Sequence, residues 1–251
     1  MTEEEAIAIA RLLRLLTPSQ RDWIKSVISQ FQLPHTFQRN PASDWINDDV
    51  LQRMGDALRV HHALSRQPLS KDRFEFAFER ALILSNIPAT LVASRTNRGH
   101  DITIKSIPVS LKTEAAANIK PDLIHVSKWM ELGKGIWELP RLRDVFLTHM
   151  KSYDRVLTLR CLKSKAPHYF YELVEIPKAL LLEAANCRFE IMKNSRQKPK
   201  PGYGYVYGPN KQLKFALYFD AGTERKLQIR SLRKDLCRVH ATWAFESTPL
   251  N

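Results

Sequence analysis

The chain has 251 residues with 39 Lys+Arg against 26 Asp+Glu, a formal charge of +13 and a pI near 9.8. A 44% hydrophobic and 26% charged composition argues against disorder, and the length supports one large domain, or two small ones, with a sizeable core. Residues 81–94, the longest relevant uncharged stretch, contain Pro88 and are too short for a bilayer, while Arg11 and Arg14 break up any leader-like apolar run.

In chain order, Ile7, Ala10, Leu13 and Leu16 share one helical face, and Gln20 to Phe31 reads as a second helix after Thr17-Pro18-Ser19. A third helix is expected near Asp48 to Leu64. A fourth runs from Ser70 to Ser85, capped by Ser70, with Phe74, Ala77, Phe78, Ala81 and Leu82 at core-facing spacing. The texture then turns β-like. Asp101 to Ile104 and Ile107 to Glu114 alternate as strands around a turn at Lys105-Ser106. Val109, Leu111 and Thr113 fall on one face, and Ser110, Lys112 and Glu114 on the other. A helix is expected over Leu139 to Tyr153, strands over Arg155 to Leu162 and Tyr169 to Ile176, and a helix after Pro177. Four β-like runs follow: Tyr203 to Tyr207, Lys214 to Phe219, Lys226 to Leu232 and Arg238 to Phe245. The expected fold class is α/β (α+β): a mixed central sheet flanked by helices. Its parts would be a helical layer over 1–68, a core over 69–190 and a basic β-rich part over 191–251, within a single domain.

The charge is uneven. Between Ile191 and His240 there are 12 Lys+Arg against three acids, Asp220, Glu224 and Asp235. Such a segment predicts a polyanionic partner, nucleic acid ahead of a membrane surface. Cys161, Cys187 and Cys237 are odd in number and widely spaced, which predicts reduced thiols and a cytoplasmic protein. No Gly-x-x-x-x-Gly-Lys-Ser/Thr run is present, so a P-loop motor is not expected. His61-His62 reads as a surface pair, His125 and His240 as structural histidines, and Trp129 and Trp137 as core or interface.

The stretch from Ser94 to Glu114 carries the chemistry. Asp101 at the start of one strand and Lys112 on the next would converge at one end of a hairpin. Phosphodiester hydrolysis needs a metal to neutralise the phosphate and acidify a water, and a base or cation to steer the attack. Asp101 and the main-chain oxygen of Leu111 are candidate Mg²⁺ ligands. Lys112 is the candidate for orienting or deprotonating the water.

This pattern resembles that of the PD-(D/E)xK nucleases, an acid, a gap and then acid-x-lysine, with Ser110 in the second acid position. Longer runs are similar to one group of type II restriction endonucleases: Ser94-Arg-Thr-Asn97, Gly99-His-Asp-Ile-Thr-Ile104, Leu111-Lys-Thr-Glu-Ala-Ala116 and the run from Ile124 to Gly135. So are Leu173 to Lys178, Pro199 to Val206 and Glu224 to Ile229, although Arg98 departs from an expected proline. The resemblance implies a Mg²⁺-dependent homodimer that cuts both strands of double-stranded DNA at a palindrome, leaving blunt ends within CCCGGG. It also implies a cognate DNA methyltransferase in the same restriction–modification system. Two carboxylates could stand in for the acid missing at Ser110: Glu75 in the preceding helix, as several nucleases of this fold have it, or Glu114. A DNA-binding module without catalysis is the alternative that Ser110 suggests.

For the DNA contacts, the turn-rich run 194–205 offers Arg196, Lys198, Lys200 and Tyr203, with Arg225 and Lys226 next. Arg95, Asn97 and His100, just before Asp101, would lie close to the scissile backbone.

Overall fold

The computed structural model describes residues 2–93, 99–116 and 118–247. Two capped helices open it. Thr2 and Thr17 each close a capping box, leading into α1 (Glu3–Arg14) and α2 (Pro18–Gln32). The face marked by Ile7 and Leu13 packs on no core, because α1 contributes no buried residue. Periodicity reports that a helix is amphipathic, not what covers its stripe.

Strand β1 (His35–Arg39) and helix α3 (Asp48–Leu64) follow. Asn47 caps α3, which buries Val50, Met54, Leu58 and His62 at four-residue spacing. Gly55 on this helix is pressed against the Phe37 ring, where any Cβ would collide. Helix α4 (Lys71–Leu84) starts at the Ser70 cap and buries Phe74, Phe78, Ala81 and Leu82.

The remaining elements are β2 (Ala89–Leu91), β3 (Ile102–Ile104), β4 (Ile107–Glu114), β5 (Leu123–Glu131), α5 (Leu139–His149), β6 (Arg155–Lys165) and β7 (His168–Glu175). After them come α6 (Lys178–Leu182), β8 (Arg188–Ile191), β9 (Gly202–Tyr207), β10 (Leu213–Asp220), β11 (Lys226–Arg233) and β12 (Arg238–Glu246). Seven strands form a mixed sheet in the order β1-β12-β7-β6-β4-β3-β2, with β4 and β6 parallel. The other five form a second, antiparallel sheet in the order β5-β11-β10-β9-β8. The expected central sheet is therefore present, and a second sheet stands beside it. The parallel pair requires a crossover, and β5 with α5 supplies it.

Two cores follow. Helices α3 and α4 cover one face of the mixed sheet, where Leu111, Leu157, Leu159 and Leu173 are buried. On the other face Val156 and Val174 pack with α5, α6 and the second sheet. The stretches 1–68, 69–190 and 191–251 interleave through strand pairing: β1 pairs with β12, β12 with β7, and β11 with β5. Among the described residues, no helix is long and apolar enough to cross a membrane.

His61-His62 is not a surface pair. His62 is fully buried, with Nε2 on the Tyr171 hydroxyl at 2.7 Å and Nδ1 on the Ser65 carbonyl at 3.0 Å. His240 is structural, held between Ser43 and Glu175. Trp129 belongs to the second core, and Trp137 packs at its margin.

Candidate active site

The β3–β4 hairpin turns through Lys105 and Ser106, both with positive φ (48° and 70°), the geometry that suits the twist of a two-residue hairpin. Strand β3 pairs with β4 only as far as Ile102 against Val109. Beyond that point the Asp101 carboxylate takes over as the partner of β4. Its Oδ2 accepts from the Leu111 amide at 2.6 Å and from Ser110 Oγ at 3.0 Å. Ser110 Oγ in turn accepts from Lys112 Nζ at 2.8 Å, which holds the ammonium 3.8 Å from Asp101 Oδ2. The serine in the second acid position thus bridges the acid and the lysine, and places no second carboxylate against Asp101.

Helix α4 completes the cluster from the other side. Lys71, in its first turn, reaches Asp101 Oδ1 at 2.7 Å and Glu75 Oε1 at 2.8 Å. Glu75 therefore shares a cation with Asp101. Glu114, by contrast, is turned away. It lies in one cross-strand row with Arg160 and Glu172. Its Oε2 meets Arg160 Nε at 2.5 Å, and its Oε1 accepts from the His125 amide at 3.0 Å. Of the two carboxylates offered in place of the missing acid, Glu75 stands at the site and Glu114 in a buried ion-pair network.

The electrostatics follow from burial. Lys112 is 8% exposed. Burial lowers its pKa to about 8, with Lys71 also lowering it while Asp101 and Glu75 hold it up. Its ammonium lies 5.6 Å above the Trp129 ring, and Trp129 Nε1 donates to the Tyr153 hydroxyl at 3.0 Å. Burial opposes ionisation of Asp101, but Lys112 and Lys71 outweigh it and lower its pKa. His149, behind the site, is lowered to about 4 by burial and then by the Lys112 charge. A cavity of about 410 Å³ opens beside these groups, lined by Lys71, Lys112 and Thr113 and by 126–130 of β5.

The donor set suits a hard divalent ion. Asp101 and Glu75 offer carboxylate oxygens around one bridging cation, the Lys71 ammonium. The Leu111 carbonyl leaves β4 on the same edge as its amide, which already meets Asp101. Among the described residues no three His, Cys, Asp or Glu side chains converge as a metal cluster.

The remaining sequence candidates are dispersed. His100 places its Nε2 3.0 Å from Thr103 Oγ1. Arg95 and Asn97, with Arg98, lie outside the described residues. Arg196, Lys198 and Lys200 are exposed on the β8–β9 connection at the far edge of the second sheet. Arg225 donates to the Gly135 carbonyl and stacks on Trp137, and Lys226 faces Glu224 at 3.8 Å. Several other cations of the basic segment are committed within the fold: Lys214 to Glu183, Lys234 to Glu172 and Arg233 to Asp235. The segment therefore presents less charge than its composition suggests.

Sequence reasoning missed a polar array across the second sheet. Gln228 donates to Asp220 at 3.1 Å and meets His125 at 3.3 Å. Arg230 donates to Gln228 and to the Tyr203 hydroxyl, both at 3.1 Å, while its guanidinium lies 4.0 Å over Tyr218. A second cavity, of about 330 Å³, joins Arg230 and His125 to the end of β4. The available signal was the alternation of Gln228 and Arg230 with Leu227 and Ile229.

An acid and a lysine brought together by one hairpin of a mixed sheet, with a helix-borne glutamate alongside, are consistent with an α+β nuclease fold. Comparison with known proteins gives the particular family. Residues 9–245 match the family model SmaI, type II site-specific deoxyribonuclease. The type II restriction enzyme SmaI of Serratia marcescens is 50% identical over 234 residues, 93% of this chain and 94% of that protein. The chain belongs to the SmaI family of type II site-specific deoxyribonucleases. No solved structure matches it.

Proposed function

We propose that this restriction endonuclease is a Mg²⁺-dependent homodimer that cuts both strands of the palindrome CCCGGG to blunt ends. The observation that carries the chemistry is the continuous contact Asp101–Ser110–Lys112, joined to Glu75 through Lys71. Asp101, Glu75 and the Leu111 carbonyl would hold the metal, which supplies charge neutralisation at the phosphate and an acidified water. Lys112, fixed by Ser110, orients the attacking water. A pKa of about 8 leaves part of it neutral near physiological pH, able to take a proton. After attack its ammonium faces the charge that develops on phosphorus-bound oxygen. Arg230, whose Nε and Nη1 are held by Gln228 and Tyr203, is the candidate for reading guanine acceptors in the major groove. Arg196, Lys198 and Lys200 grip phosphates and set register. A two-fold dimer supplies one such site to each strand.

Supercoiled plasmid carrying one CCCGGG site tests this reading. With Mg²⁺ the protein should linearise it, and sequenced ends should fall at the centre of the site without overhang. Asp101→Ala and Lys112→Ala should stop cutting while leaving binding in Ca²⁺ largely intact. Full cleavage by either variant removes the assignment. Binding without cleavage by the unaltered chain under any metal would instead favour the non-catalytic reading that Ser110 raises.

A further inference from the structure

The Lys71 ammonium stands where the two carboxylates of the site converge. It lies 2.7 Å from Asp101 Oδ1 and 2.8 Å from Glu75 Oε1, on a side chain 39% exposed at the edge of the cavity that also exposes Lys112. With Lys112 nearby, the two negative charges are already balanced by two positive ones. A divalent ion binding through the same oxygens would need the position that the ammonium now holds. It cannot share that space with an ammonium nitrogen. We propose that Lys71 is an internal cation that occupies the Asp101–Glu75 pair until a divalent ion displaces it. The proposal rests on the metal reading of this site.

Displacement breaks two ion pairs whose partners are all part-exposed, each of modest strength. It also releases a positive group at the cavity mouth, where a DNA phosphate would receive it. Metal binding without DNA is therefore weakened by Lys71, by about tenfold or ~1.4 kcal/mol, and a bound duplex relieves the penalty. Lys71 acts here as a positioning residue, through the carboxylates and not on the reacting atoms.

The test is calorimetric titration of Mn²⁺ into the full-length protein without DNA, using the unaltered chain, Lys71→Met, Lys71→Gln and Asp101→Asn. Both Lys71 variants should bind Mn²⁺ about tenfold more tightly, and Asp101→Asn should lose binding. A catalytically silent duplex with a non-hydrolysable phosphate should tighten Mn²⁺ binding to the unaltered chain more than to Lys71→Met. Unchanged Mn²⁺ affinity in both Lys71 variants, with binding lost in Asp101→Asn, overturns the Lys71 proposal and leaves the metal reading standing. Undiminished binding in Asp101→Asn overturns the metal reading itself.

Discussion

Arg160 provides the sharpest stability prediction. Its side chain is fully buried on β6. It contacts Glu114 Oε2 at 2.5 Å, the Glu172 carboxylate, and the carbonyls of Lys120 at 2.9 Å and Leu123 at 2.7 Å. Side chains of Glu114 and Glu172 are only 6% and 3% exposed. Arg160→Met keeps much of the volume but strands two buried carboxylates, and only Glu172 retains a cation, Lys234 at 3.0 Å. Breaking one side of a buried pair costs about 3–5 kcal/mol. For a domain of this size that is roughly 6–20 °C in Tm, at about 2–4 °C per kcal/mol. Thermal unfolding followed by circular dichroism at pH 7 checks it. The double variant Arg160→Met/Glu114→Gln should recover at least about 1 kcal/mol, because it removes the stranded charge. Glu114→Gln alone should still cleave DNA at temperatures where it is folded, whereas Glu75→Gln should lose cleavage and keep its fold. A loss under about 1 kcal/mol in Arg160→Met, or a folded but inactive Glu114→Gln, refutes the separation of clamp from site.

Two further predictions concern pH and recognition. His62 is buried and its pKa is lowered to about 3, by burial and then by His61. The unfolded chain therefore takes up the proton first. His62 contributes stability fully above pH 6.5, and that contribution falls towards pH 3 at up to ~1.4 kcal/mol per pH unit. His62→Phe should flatten the Tm-versus-pH curve between pH 6.5 and 5, and an unchanged slope counts against the argument. Arg230→Ala should weaken binding to the cognate site in Ca²⁺ by about 1–3 kcal/mol with little effect on random duplex, whereas Lys198→Ala should weaken both and lower the salt slope by about one. Equal losses on both duplexes for Arg230→Ala would move that residue to the phosphate-contacting set.

What the sequence revealed and what it hid divide along contact range. The bounds of α3 and α4 were legible because Asn47 and Ser70 cap them and their apolar residues repeat at helical spacing. Asp101 and Lys112 were legible as a pair because one hairpin brings them together. Strand β1 was not, since its edge position leaves it without clear alternation of burial. Lys71 is 30 residues from Asp101, and its role exists only once α4 docks against the hairpin. In the sequence, Lys71 and Glu75 are an ordinary helical i,i+4 pair.

Glu114 shows the same limit more sharply. Alternation places it on the same strand face as Lys112, which is why it was a candidate for the site. The β4–β6 and β6–β7 registers decide otherwise, because they align Glu114, Arg160 and Glu172 in a single row. Register is a property of three strands, and no one of them carries it in its own sequence. The basic segment follows the same logic: counting its cations suggested a broad DNA grip, but Lys214 and Lys234 meet acids that lie far away in sequence. Composition therefore pointed to a polyanionic partner while pairing decided which cations remain to meet it, and the reading residues have to be sought in the array around Arg230 as well as in the loop of highest charge.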